Sequence, residues 1–231
     1  MIPSNPGRRE RLRKAVFAEI HGLARHLLVE GGPDAVTISA IARAMGMSAP
    51  ALYRYYRSHR DLLAALASQL YDELAGRIAL AGEKSGTATV PLLAMCRAMR
   101  TWATAHPAEF RFLFASPFLA EASDAGSAFG ELFLEEVARI WRHKSFPVPA
   151  TNTLSPALSE QLCAYSQRTG GRLPPVAMHV FLNGWVRVCG VLNMEVLKQL
   201  DFALADAEPF YEQTLKELCA ALSVQYLPVN R

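Results

Sequence analysis

The sequence is poor in the features that announce catalysis, secretion or a membrane. Its four cysteines in 231 residues, Cys96, Cys163, Cys189 and Cys219, lie far apart with no C-x-x-C pair and no neighbouring Cys/His set. That spacing argues against a zinc module and against a disulfide scaffold, and predicts buried thiols in a reducing cytoplasm. No G-x-S-x-G, Walker loop, dinucleotide fingerprint or H-E-x-x-H occurs, and the six histidines do not pair with carboxylates at ligand spacing. The expectation is a protein that is not an enzyme and that needs no cofactor and no metal. No basic-apolar-small leader opens the chain, and no apolar run approaches the roughly 20 residues of a membrane span. The longest apolar stretch, Val176 to Leu200, is interrupted by His179, Asn183, Arg187, Asn193, Glu195 and Lys198 and reads as a buried helix. No membrane partner is expected, and neither an internal repeat nor a strand pattern is found.

What the chain does have is a globular composition, 51% hydrophobic and 19% charged, long enough for a helical core with a smaller appended domain. The net charge of +3 says little alone, but its distribution is uneven. Residues 1–61 hold ten Lys/Arg against five Asp/Glu, net +5, and residues 62–231 hold fourteen against sixteen, net −2. A basic excess confined to one end is the electrostatic footprint that phosphate binding requires.

Within that basic end lies TISAIARAMGMSAPALYRYYR, Thr37 to Arg57. Thr37 sits at an N-cap position, and Ile38, Ile41, Ala42 and Met45 follow at helical offsets. Gly46 stands where a helix ends in a left-handed residue, and Ser48 is placed to cap a second helix with Pro50 in its first turn. Two short helices joined by a tight glycine turn make a helix-turn-helix, whose second helix enters the major groove of DNA. Val16, Ile20, Leu23, Ala24, Leu27 and Leu28 predict a scaffold helix from about Arg11 to Val29 that supports the two short ones. Arg8, Arg9, Arg11, Arg13 and Lys14 read as a flexible arm ahead of it. Ser58 is placed to cap a fourth helix, which carries Leu62, Leu66, Leu70 and Leu74 to about Ala81.

Thr37, Ile41-Ala42, Gly46-Met47-Ser48, Leu52 to Tyr56 and Ser58 to Leu63 together resemble the DNA-binding domain of TetR/AcrR-type transcriptional regulators over about residues 10–65. The resemblance and the exposed positions together nominate Ser39, Ala49, Pro50 and Tyr53 for base contact. Thr37, Arg43, Arg54, Tyr55, Arg57, His59 and Arg60 would hold the backbone, with Ser48 at the outer start of the second helix. Two departures from the family stand out. His59 replaces a lysine that grips phosphate, which predicts a weaker, pH-dependent contact. Ile38-Ser39-Ala40 lacks the base-reading arginine or lysine found in many relatives.

Beyond Gly82 the periodicity predicts helices over Val90–His106, Phe129–His143 and near 157–168, 174–200 and 206–223, a short aromatic segment at Phe110, Phe112 and Phe114, and loops at Gly86–Thr89 and Phe146–Pro156. Ala105-His106-Pro107 to Phe114, Val180 to Trp185 and Leu192 to Glu195 are similar to the C-terminal domain of a TetR subgroup with a Trp-His-Gly signature; Phe181 and Asn183 stand at its first two positions and Gly184 matches the third. That resemblance implies a homodimer through the helices near 174–200 and 206–223.

The expected fold is all-α: an N-terminal helix-turn-helix DNA-binding domain, residues 1–57, joined to a larger helical ligand-binding and dimerisation domain, residues 58–231. The expected protein is a bacterial, cytoplasmic, ligand-responsive regulator, a repressor binding a near-palindromic operator on double-stranded DNA as a homodimer. A small hydrophobic effector would be lined by Leu66, Leu70, Trp102, Phe110, Phe114, Phe133, Trp141, Phe181 and Trp185. The alternatives are a helical-bundle ligand carrier or enzyme with an appended helix-turn-helix, and a DNA-binding dimer without ligand control.

Overall fold

No proline interrupts residues 7–31, and apolar side chains recur every three to four positions from Ile20 onward, so the first helix runs long. In the computed structural model, which describes residues 6–85, 91–115, 124–150 and 153–228, α1 spans Pro6–Gly31. The expected flexible arm is therefore helical as far as it is described: Arg11, Arg13 and Lys14 lie on α1, and the Arg13 guanidinium sits 5.6 Å from the Phe17 ring. The Arg8 and Arg9 side chains lie outside the described residues, as do the expected loop at Gly86–Thr89, Pro117, and Thr151 and Asn152 of the Phe146–Pro156 loop.

After a short 3₁₀ turn at Pro33–Ala35, α2 occupies Ile38–Ala44 and α3 Ala49–Leu52. Then follow α4 (His59–Lys84), α5 (Pro91–Ala105), α6 (Pro107–Ala115), α7 (Asp124–His143), α8 (Pro156–Arg168), α9 (Pro175–Val196) and α10 (Glu208–Ala221). All regular structure among the described residues is helical, as expected. The aromatic segment around Phe110 is itself a helix, α6. The helix expected over 174–200 stops at Val196, because Lys198 adopts a left-handed φ of 57° and closes the end with Lys198 N–H to Glu195 O at 3.0 Å and Gln199 N–H to Met194 O at 2.8 Å.

The chain forms two compact units. Met1–Asp72 with His106–Ala125 is the first; Glu73–Ala105 with Gly126–Arg231 is the second. In the first, α1 packs on the 3₁₀ turn, α2 and α6. Ile20, Ala24, Leu28, Val36, Ile41, Leu52, Leu62, Leu66, Leu70 and Phe110 form its core, each large apolar side chain contributing about 1.5–3 kcal/mol by burial. Glu109 of α6, 4% exposed, accepts from Arg25 Nε of α1 at 3.0 Å. Sequence spacing gave no hint of this pair, because its residues are 84 positions apart.

In the second unit α9 is the hub, packed on α5, α8 and α10. Its buried residues, Ala177, Met178, Phe181, Val188, Leu192 and Val196, lie along one stripe. The expectation of a buried helix is thus corrected. Within one chain only 33% of its most apolar window is buried, most of the remainder being half-buried with Asn183, Val186, Arg187 and Met194 exposed, and by length and composition this helix could cross a membrane. Cys96 and Cys219 are buried, but Cys189 is half-buried and Cys163 is exposed on α8, so the expectation of buried thiols holds for only part of the set. Burial pushes the Cys96 thiol up, Cys189 to about 12 and Cys219 to about 11, which keeps all three protonated at neutral pH. Phe146 is buried against Trp141, ring centroids 4.8 Å apart, so the loop after α7 is anchored where it begins.

Two glycines should respond oppositely to alanine. Gly46 has φ +64°, and alanine there costs about 1–2 kcal/mol for left-handed backbone. Gly76 lies inside α4 with nothing within 4 Å of an added Cβ, and alanine there stabilises by about 0.5–1 kcal/mol. Urea denaturation midpoints of the two variants, measured against the parent, check both signs.

Candidate nucleic-acid interface

Helices of seven and four residues cannot hold themselves, so the geometry of α2 and α3 is set by their caps and by the surface beneath them. Thr37 is extended (φ −115°, ψ 152°) and its Oγ1 accepts from Ala40 N–H at 3.1 Å, the expected N-cap. At the other end Gly46 N–H donates to Arg43 O at 3.2 Å and Met47 N–H to Ala42 O at 2.8 Å, a Schellman closure that turns the chain toward α3. Ser48 departs from expectation. It is the N-cap residue of α3, but its side chain makes no capping bond. The reason is Pro50, which lacks the N–H that a cap would use, while Ala51 N–H goes to the Ser48 carbonyl at 2.9 Å. The Ser48 hydroxyl is left at an exposed position.

Below the turn, Leu52 is fully buried and Tyr56 nearly so. Phe17 of α1 meets both Tyr55 and Tyr56 edge-on, at 5.4 and 5.8 Å between centroids. His21 Nε2 lies 2.6 Å from the Tyr56 hydroxyl. Tyr56 is therefore a core residue, Tyr55 a half-buried one, and Tyr53, 51% exposed, points its bulk to solvent. Ser58 Oγ accepts from Asp61 N–H at 3.1 Å and caps α4 as expected. His59 is tied back: its Nε2 lies 2.6 Å from the Val36 carbonyl, which can only accept, so Nε2 carries the proton and α4 is fastened to the residue preceding the α2 cap.

Ser39, Arg43, Ser48, Pro50, Tyr53, Arg54, Arg57, His59 and Arg60 are exposed, with Thr37, Ala49 and Tyr55 half-buried beside them. The fold thus leaves a surface of hydroxyls, one tyrosine and four arginines on α2, α3 and the start of α4. Such a surface suits a polyanion whose edges can be read at short range.

The nine residues nominated for a ligand fall in both units. Leu66, Leu70, Phe110 and Phe114 belong to the first unit; the first three are fully buried, and Phe110 stacks on Phe114 at 4.5 Å. Trp102 is core of the second unit, its Nε1 donating to Glu73 at 3.0 Å. Trp141 lies against Phe146. Phe133, Phe181 and Trp185 do converge, Phe133 at 5.1 Å and Phe181 at 6.3 Å from Trp185 between centroids. With Leu92, Cys96, Val137, Gly184, Val188, Leu218 and Leu222 they line an apolar slot of only about 20 Å³. Among the described residues no three His, Cys, Asp or Glu side chains converge as a metal set.

Comparison with known proteins bears on both units. A model described as bacterial regulatory proteins, tetR family, matches residues 20–66, and one described as tetracyclin repressor-like, C-terminal domain, matches residues 92–218, over half of the chain. The HTH-type transcriptional regulators Rv1816 of Mycobacterium tuberculosis and Mb1846 of Mycobacterium bovis are each 34% identical over 113 residues, 48% of this chain and 48% of theirs. The chain spans about half the length of the curated relatives it matches. A crystal structure described as that of a regulatory protein, SCO4313, superposes with a TM-score of 0.72 at 26% identity, covering 90% of this chain and 97% of that one. A protein of unknown function from Rhodococcus sp. RHA1 shares the fold, with a TM-score of 0.61 at 18% identity over 86% and 93% of the two chains.

Burial holds the His21 imidazole below its ordinary value of 6.5. The unfolded chain then takes up a proton at a pH where the folded one resists it. The stability this histidine contributes is complete above the unfolded value and is lost as pH falls through 6.5 toward the lowered folded value. Thermal melting between about pH 7.5 and pH 5 should show a falling midpoint for the parent, and a flatter profile for His21→Gln.

Proposed function

Because the chain belongs to the TetR family of bacterial regulatory proteins, DNA-binding regulators of transcription, we propose that it is a homodimeric repressor of the bacterial cytoplasm, released from a near-palindromic operator by a small apolar effector. The observation that carries the dimer is α9. This 22-residue helix has a mean hydropathy of 1.3 over its most apolar window, yet a single chain buries only 33% of that window. Val186 and Met194, 66% and 40% exposed, lie eight residues apart on its open side, and Phe210 on α10 is 48% exposed. Apolar surface of that extent on a helix pair calls for a partner, and a second copy related by a two-fold axis covers α9 and α10 on both chains at once.

A two-fold dimer sets its two α3 helices about 34–36 Å apart, one turn of duplex, and therefore reads a palindrome. Ser39, Ala49, Pro50 and Tyr53 are assigned to base edges. Thr37, Arg43, Ser48, Arg54, Tyr55, Arg57 and His59 are assigned to phosphates and to the approach of α3. Occupying a promoter in this way blocks polymerase without further contacts, which favours repression. An effector releases the DNA if it binds better to a dimer whose reading heads no longer match adjacent grooves. Phe133, Phe181 and Trp185 give it an aromatic site; Leu66, Leu70, Trp102, Phe110, Phe114 and Trp141 are left to packing. One observation favours a second reading, a DNA-binding dimer without ligand control: the slot that Phe133, Phe181 and Trp185 line holds only about 20 Å³.

Two measurements test the proposal. Sedimentation equilibrium should give a dimer for the parent and a monomer for Val186→Glu, and a parent that stays monomeric would sink it. Titration of DNA flanking the coding sequence should show Tyr53→Ala losing about 1–3 kcal/mol with its sequence preference relaxed, whereas Arg54→Ala weakens binding to all duplexes and lowers the salt slope by about one. Unchanged affinity in both variants would mean that α3 is turned away from the groove.

A further inference from the structure

The apolar slot adjoins a groove on the outer face of α9 and α10, and the two share part of their lining. On the outer face a groove of about 250 Å³ is lined by Pro149, His179, Asn183, Arg187, Thr214 and Ala221, with Val180 between them. Gly184, Val188 and Leu218 belong to the lining of both this groove and the slot. They form the wall between the two.

The slot has room for about one water molecule, so any organic occupant must displace part of its lining. Most of that lining cannot yield. Leu92, Cys96, Phe133, Val137, Phe181 and Leu222 are each at most 6% exposed and backed by core. Nor can α5 draw away from α9 and α10. Arg100 of α5 forks onto Glu195 at 3.0 and 2.7 Å, and Arg97 onto Glu212 at 2.9 and 2.7 Å and onto the Leu227 carbonyl at 2.7 Å. Leu218 differs from all of these. It is half-exposed, and its Cδ1 lies in the notch left by the missing Gly184 side chain, 2.5 Å from where a Cβ would stand. Free space lies on its far side, in the groove.

We propose that Leu218 couples ligand binding to dimer assembly: a small apolar molecule, of the size and character of a substituted benzene, enters the slot by pushing Leu218 outward into the groove, where it competes with the second copy for the same space. The inference rests on α9 and α10 being the dimer face, and it adds the route by which the effector acts on that face. Slot occupation and full closure of the dimer then oppose each other through one side chain, and the coupling is reciprocal.

The test uses the full chain and two occupants. Val137→Phe fills the slot from within; fluorobenzene fills it from solution, its binding followed by the fluorine resonance. Dimer dissociation constants come from sedimentation equilibrium for the parent, Val137→Phe, Leu218→Ala and the double variant, with helical circular dichroism confirming that each folds. Both occupants should weaken the parent dimer about tenfold or more, and in the Leu218→Ala background, where the shared wall is already gone, the effect should shrink to about twofold or less. Should Val137→Phe not fold, fluorobenzene on the parent and on Leu218→Ala carries the comparison alone. A parent dimer indifferent to both occupants overturns the coupling and leaves the dimer reading standing. Equal weakening with and without Leu218 overturns the role of that residue. A parent chain that never dimerises overturns the dimer reading, and this inference with it.

Discussion

The exposed surface of the helix-turn-helix is carried by two helices too short to persist alone, and everything about it depends on what lies underneath. Burial of Ile38, Ile41 and Ala42 orients α2, burial of Leu52 orients α3, and the long α1 supplies the apolar support through Ile20, Ala24 and Leu28. The aromatic set of Phe17, Tyr55 and Tyr56 fixes the exit from α3 to α1, and the hydrogen bond from His59 to Val36 fixes the entry of α4. With those restraints in place the outward side chains have little freedom in where they stand. Preorganisation of this kind lowers the ordering cost of whatever such a surface binds.

The second unit solves a different problem. It leaves apolar side chains of α9 and α10 exposed while remaining a folded helical body, because α9 is apolar on more than one side. One stripe is satisfied within the chain by α5, α8 and α10. The arginine forks from α5 to Glu195 and Glu212 hold that side rigid, each with partly buried charges whose hydrogen bonds are satisfied in the fixed planar geometry that guanidinium and carboxylate share. On the other side Leu218 sits in the notch that Gly184 leaves.

These two designs meet the functional requirement of a regulator from opposite directions. The reading surface gains from being stiff. On the reading proposed above, an assembly surface gains from having one place where a modest change of packing has a large consequence, because close-packed interfaces tolerate little intrusion. The same sequence of physical demands explains why charge is distributed as it is, with net +5 over residues 1–61 against −2 over the rest. Basic side chains serve attraction at one end, and mixed charges serve internal pairing at the other.

Much of this was legible in the chain itself. Helical periodicity, the Thr37 and Ser58 caps, the left-handed Gly46 and the basic excess are local, and local sequence determines them because each involves groups within a few residues of one another. The helix-turn-helix and the all-α class followed from those signals. What the chain could not disclose were relations between residues distant in sequence. Two misreadings were local instead: Pro50 removes an N–H that a Ser48 cap would use, and no proline interrupts residues 7–31, so α1 extends over the residues read as an arm. The buried Arg25–Glu109 pair, the division of nine nominated pocket residues between two units, and the slot that unites only Phe133, Phe181 and Trp185 were decided by tertiary packing. A hydrophobic residue looks the same in sequence whether it fills a core, lines a slot or waits for a partner. Only the positions of its neighbours in space distinguish these roles.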